Sequence, residues 1–143
     1  MKNEVRYCAI KSETNIEGTI TYDKLFAEIN TIDTNTWMNV AEGTFTAGQA
    51  GTFRVHLGLE MAWQRDEHHT ITVMVNDEVA SPFLPFVQEF AVAIENSGIA
   101  DDTSEYASWE SLVQLEAADI LTIRHHSESS LGLTAITWCV SVE

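Results

Sequence analysis

The sequence predicts a single all-β domain, and three observations carry that prediction. From Phe53 to Trp63 the alternation is strict: Phe53, Val55, Leu57, Leu59, Met61 and Trp63 fall on one side. Arg54, His56, Gly58, Glu60 and Ala62 fall on the other, a period of two that marks a long antiparallel strand buried on one face. The rest of the chain repeats short apolar runs separated by turn signals, and almost no stretch suits a helix. A chain of 143 residues with 45% hydrophobic content builds one core, and at this length roughly 68–70% of the unfolded surface is buried on folding. No internal repeat and no linker divides it, so residues 1–143 are expected to form one domain.

Taken in order, Glu4–Lys11 suits a short strand and Ser12–Gly18 a polar loop. Thr19–Asp23 is β-prone. Asp23–Ile32 is extended or irregular, although Leu25, Phe26, Ile29 and Ile32 would also suit a helical face. Asp33–Asn39 is a turn-rich link that carries Trp37. Gly43, Gly48 and Gly51 permit turns or close backbone approach ahead of the central strand. Gln64–His69 is expected as a charged turn, and Thr70–Val75 alternates again. Asn76-Asp77-Glu78 turns the chain. Pro82 and Pro85 place Ser81–Phe86 in a loop or edge. Gln88–Glu95 alternates, Asn96–Ser108 is a long polar loop, and Trp109–Glu116 is a strand. Ala117-Ala118 makes a corner, Asp119–His126 is a strand, and Leu131–Val142 closes the chain.

Charge excludes several functions. Seven basic and 22 acidic residues give a net charge of -15, which opposes binding to nucleic acid or an anionic membrane surface, since both need clustered Lys and Arg. No run approaches the roughly 20 apolar residues of a membrane helix. No charged segment followed by an apolar one opens the sequence, so no signal peptide is expected in it. No nucleophile elbow, phosphate-binding loop or zinc-protease motif occurs, and neither cysteine has a histidine near it in sequence. The chain is therefore expected not to be an enzyme.

With the strands placed, the sequence resembles the globular head of complement C1q, a jelly roll shared with tumour necrosis factor ligands. The likeness runs from about Ala9 to Val140. It is carried most strongly by Gly43-Thr-Phe-Thr-Ala and Ala50-Gly-Thr-Phe-Arg-Val, with Asp33 upstream. Ile20-Thr-Tyr-Asp-Lys, Leu115-Glu-Ala-Ala-Asp-Ile-Leu-Thr-Ile and Ser130-Leu-Gly-Leu add to it. Ala118 stands where that family usually has glycine, Phe53 where tyrosine is common, and Phe26 and Trp37 are each one position off the expected spacing. No Gly-x-y stalk is present.

The resemblance implies an all-β, ten-stranded jelly-roll sandwich that assembles as a compact homotrimer. It implies an extracellular, secreted recognition module of the kind used in innate immunity. Such a head would bind carbohydrate, a microbial surface or a protein through its loops. It would neither insert into membranes nor bind nucleic acid. Two alternatives share the fold: a receptor-clustering ligand, and a structural trimerisation head at the tip of a fibre. In such a trimer both faces of a strand are buried, which suits the closing strand, with only Thr137, Cys139 and Ser141 on its second side. The resemblance also sets the first and last strands side by side, so that Cys8 and Cys139 face each other or turn away according to register. A disulfide and two buried thiols both remain open.

The loops supply the candidate ligand contacts: Trp37, Arg65, Asp66, Glu67, His68, Asp101, Asp102, Glu105 and Trp109. Trp37 and Trp109 are included because each flanks a loop, whereas Trp63 and Trp138 suit the core. Asp66, Glu67, Asp101 and Asp102 are the candidate metal ligands, and calcium is the ion such oxygen-rich loops suit. His68-His69 and His125-His126 invite zinc. Neighbours on a strand point to opposite faces, however, so His125 and His126 cannot share one ion within one chain. No Asn-x-Ser/Thr sequon is present, and no glycan is expected.

Overall fold

The computed structural model describes residues 3–14, 17–62, 67–79, 87–92, 104–127 and 133–143. These form twelve strand segments and two sheets: β1 Val5–Thr14, β2 Gly18–Thr19, β3 Lys24–Asn30, β4 Met38–Asn39, β5 Thr44–Thr46, β6 Gly51–Ala62, β7 Glu67–Val75, β8 Glu78–Val79, β9 Val87–Val92, β10 Ser104–Leu115, β11 Ile120–Ser127 and β12 Leu133–Val142. One sheet runs β10-β6-β12-β1-β3. The other runs β4-β5-β11-β7-β8, with β2 also on β11 and β9 also on β7. Because β7 occupies one side of β11, β2 and β5 must lie end to end along the other. By the same reasoning β8 and β9 lie end to end along β7. The second sheet is thus also five strands wide, and two sheets of five make the ten-stranded jelly roll that the sequence led us to expect.

The central strand forms because its apolar positions alternate. Phe53, Val55 and Leu57 are buried, while Arg54 and His56 are half-buried on the opposite face. It pairs with β10 over Ser104–Leu115 and with β12 over Leu133–Val142. Inside, edge-to-face aromatic rings join the sheets: Phe45 of β5 meets Tyr7 of β1 at 5.9 Å and Phe53 of β6 at 5.6 Å. Each such contact is worth about 0.5–1.5 kcal/mol beyond area burial. Trp138 of β12 is wholly buried and packs on Tyr22 at 5.2 Å.

Two expectations need correction at their edges. Glu67–His69 are not a turn, because β7 begins at Glu67 and pairs with β9 from Val92 onward. Likewise the polar loop ends earlier than Ser108, since β10 begins at Ser104 opposite Ala62. In both cases ladder pairing extends a strand through residues that look polar in isolation. Asp23–Ile32 resolves to strand β3, whose exposed Phe26 and Ile29 had allowed a helical alternative. The proline-bearing loop, Trp63 and the ends of several expected strands lie outside the described residues.

Local backbone choices fit the turns. Asn76 and Asp77 both take positive φ, 52° and 64°, as a two-residue hairpin of the twist-matched type requires. Gly43 takes φ 68°, and a Cβ there would collide with the Ile20 carbonyl oxygen. Ala118 takes φ 74°, a conformation that costs a non-glycine residue about 1–2 kcal/mol.

β1 lies antiparallel to β12 with Cys8 directly opposite Cys139, and the two are joined as a disulfide with Cα atoms 4.1 Å apart. Their sequence separation is 131, so the bond closes nearly the whole chain.

Two stability predictions follow from these features. Reduction, or the double change Cys8→Ser with Cys139→Ser, should lower unfolding free energy by about 2–5 kcal/mol, read from denaturant midpoints with and without reductant. Ala118→Gly should raise it by about 1 kcal/mol, and an unchanged or lowered midpoint would contradict the strain at that corner.

Candidate functional site

Strand register sorts the molecule into two ends. Thr14 pairs with Leu133, Leu133 with Met61, and Ala62 with Ser104. These residues, and the nearby start of β7 at Glu67, mark the end away from the termini. Val5 pairs with Asn30, Phe53 with Val142, and Gly51 with Leu115. These residues mark the end that carries the termini.

The candidate residues divide accordingly. Glu67 and His68 begin β7, and Glu105 is the second residue of β10, all at the end away from the termini. The strands therefore bring Glu67 and Glu105, far apart in sequence, to one end of the sandwich. Arg65, Asp66, Asp101 and Asp102 lie outside the described residues. Trp109 pairs with Leu57 midway along β10. His125 is buried and His126 exposed, as strand alternation requires. Among the described residues no three of His, Cys, Asp and Glu come together as a metal set.

Trp37 needs correction. It was expected at a loop surface, but it is 5% exposed and its ring packs edge-to-face on Phe45 and Phe53 at 6.0 and 6.4 Å. The loop before it explains why. The Asn30 carboxamide accepts from the N–H groups of Ile32 and Asp33 and donates to the Tyr7 hydroxyl and the Asn35 carbonyl. The Tyr7 hydroxyl then accepts the Trp37 N–H at 3.3 Å, and the Trp37 carbonyl accepts from Thr46 at 2.8 Å. A polar-looking link is thereby folded inward, carrying its tryptophan into the core.

That loop walls a cleft of about 520 Å³ at the end that carries the termini. Its far wall is the corner at Ala117-Ala118, clamped in place by two backbone bonds: Ala118 N–H to Ala47 at 2.8 Å and Ala47 N–H to Asp119 at 3.0 Å. Asn76 ties the same corner to the β7–β8 turn, donating to Asp119 and accepting from Ile120 N–H, both at 2.9 Å. Asp33, Asn39, Glu42 and Thr46 supply the polar rim. No sequence motif signals this cleft, since its walls come from residues 33–48 and 117–118, brought together only by the jelly roll.

A second hollow of about 350 Å³ lies on the outer face of the five-stranded sheet, beside Cys139, between Arg6, Arg54, His56 and Glu110. Arg54 holds Glu143 through two bonds, at 2.7 and 2.9 Å, and also pairs with Glu110.

Several carboxylates are held below their ordinary range. Asp119 is lowered by the Glu116 N–H and then by Asn76. Asp23 is lowered by the Ser12 N–H and then by Lys11. Asp33 is lowered chiefly by the Asn35 N–H, with a smaller part from the neighbouring Trp37 indole. Glu143 is lowered chiefly by Arg54. Groups lowered in the folded chain stabilise it fully above their unfolded values, and that stabilisation is lost as pH falls through the folded ones. Stability should therefore be flat above about pH 5 and fall below about pH 4. Asp119→Asn should remove part of that slope, measured as urea midpoints between neutral and acid pH.

The comparisons with known proteins agree with the architecture. No family model matches the chain, and no curated protein sequence matches it. Among solved structures, the globular domain of zebrafish complement 1qA superposes with a TM-score of 0.64, covering 97% of this chain and 96% of that one at 10% identity. Likeness at so low an identity speaks for the fold alone, and it extends over nearly the whole chain. This chain has the fold of the complement C1q globular head.

Proposed function

We propose that the chain is a non-enzymatic recognition head that works as a homotrimer outside the cell and binds carbohydrate, microbial-surface or protein ligands. The observation that carries this reading is the C1q-head fold over 97% of the chain. The outer face of the five-stranded sheet supports it. There Gly58, Ala135, Thr137, Cys139 and Ser141 are buried or half-buried with no large side chain among them, a surface that another protomer can approach closely. Arg54, Glu110 and Glu143 form a fixed charged network at its margin. The disulfide supports an oxidising compartment, where such bonds persist. Among the described residues no helix is long and apolar enough to cross a membrane.

The end away from the termini is the recognition surface in this reading, because strand ends from β6, β7 and β10 converge there with Glu67, His68 and Glu105. In a trimer that end occurs three times on one rigid body. Three weak sites then bind a repeating surface far better than one does. A net charge of -15 per chain favours a bound cation where protomers meet, and calcium on Asp66, Glu67, Asp101 and Asp102 would supply it.

Light scattering with and without a chelator tests this reading. A mass near three times 15.9 kDa is expected, and a monomer in both buffers would overturn the trimer and its avidity. Loss of the trimer in chelator would assign the acidic loops to metal. Hits on a glycan array separate a carbohydrate reader from a receptor-clustering ligand, which would instead bind one protein tightly and ignore glycans.

A further inference from the structure

The outward face of the five-stranded sheet differs from one side to the other. Register sets out its rows. Ile29, Arg6, Ser141, Arg54 and Leu112 stand side by side across β3, β1, β12, β6 and β10. Ala27, Cys8, Cys139, His56 and Glu110 form the next row. The β3 side is bulky and apolar. Phe26 is 53% exposed and Ile29 41%, two of the three large apolar side chains exposed among the described residues. Scattered exposed apolar residues are ordinary, but these two share one short edge strand. Phe26 is the residue that the β1–β3 ladder skips, between Leu25 and Ala27. Among the described residues β3 pairs with β1 alone, so its far side is an open edge, a place where another chain can settle. Toward β12 and β6 the side chains are small instead, with Gly58 opposite Thr137 and Ser141 opposite Arg54.

Charge follows the same division. On the β6–β10 side Arg54 bonds both Glu143 and Glu110, so that network has one carboxylate more than it has cations. On the β3–β1 side Arg6 is exposed and makes no hydrogen bond or ion pair with any described residue. An arginine without a carboxylate stands out in a chain with 22 acidic residues and 7 basic ones. A threefold axis makes every contact head to tail, so each copy must present two unlike surfaces that fit each other. We propose that the two halves of this one face are those surfaces, and that its occupant is a second copy of this chain. The β3 edge of one copy, with Phe26 and Ile29, packs on Gly58, Thr137 and Ser141 of the next. Arg6 of the first copy meets the Glu110 and Glu143 carboxylates of the second. The inference rests on the homotrimer proposed above and deepens it by naming the residues of the contact.

The test is the mass of the whole chain by light scattering, with circular dichroism to show that each variant keeps its sheets. Phe26→Glu alters the bulky half at an exposed position, and Thr137→Arg blocks the small half. Each alone should have a mass near 15.9 kDa. Mixed in equal amounts they should form a species of two chains and no larger one, because each supplies the half that the other lacks. Arg6→Glu should weaken assembly about tenfold at low salt, with the difference shrinking as salt is added. A wild-type trimer that both Phe26→Glu and Thr137→Arg leave at three chains would overturn this contact while the homotrimer stands. So would a mixture that stays monomeric, and an Arg6→Glu chain that assembles as tightly as the wild type would remove Arg6 from the contact. A wild-type monomer would overturn the homotrimer and this contact with it, and a wild-type pair would show the face meeting its own copy about a twofold axis instead.

Discussion

The pairing of the first strand with the last is the constraint on which the rest of the structure depends. β12 sits at the centre of the five-stranded sheet, bonded to β6 on one side and β1 on the other. Without it, β1 and β3 would have no connection to β6 and β10 within that sheet. The pairing joins residues more than a hundred positions apart, so its loop-closure entropy must be recovered by contacts that form together. Those contacts are concentrated where the ladder passes: Tyr7 and Val140 opposite each other, Ala9 opposite Trp138, and the disulfide between them. Local helical propensity has no part in such a structure. Its cooperativity is that of long-range pairing.

The same closure gives the molecule its polarity. The termini and the turns at Asp33–Thr36, Ala117-Ala118 and Asn76-Asp77 gather at one end, tied together by backbone and carboxamide bonds. The strand ends that carry Glu67 and Glu105 gather at the other. Hydrogen bonds to Asp33 and Asp119 at the first end hold those carboxylates ionised within turns. They serve as turn fasteners there, which is a structural use of acidic residues in a chain rich in them. The acidity of the sequence thus divides into groups that fasten loops and groups that set the surface potential.

Burial also redistributes the aromatic residues. Trp37 flanks a loop in sequence, and a loop tryptophan suggests a ligand platform. Yet the Asn30 carboxamide and the Tyr7 hydroxyl fold that loop onto the core, and the ring becomes part of the aromatic contact between the sheets. Polar side chains that look like surface decoration, Asn30 above all, are what turn it inward. The small residues on either side of Cys139 in β12 behave in the reverse way. Ala135, Thr137 and Ser141 alternate with the buried Ile136, Trp138 and Val140, so they line the outward face of the sheet.

By itself the sequence determined the all-β class, the central strand and the corner at Ala117-Ala118, because side-chain alternation and turn chemistry are local and appear directly in residue order; the jelly roll was implied only by the resemblance of its motifs to the C1q head. The strand starts at Glu67 and Ser104 were not legible, because polar residues enter a strand when a neighbour offers its ladder of hydrogen bonds. Register was not legible either, so only the folded chain decided that Cys8 meets Cys139 rather than passing it by one residue. The cleft beside Trp37 was the least legible feature. Its walls come from two segments about 70 residues apart, and nothing in either segment refers to the other until the sheets close around them.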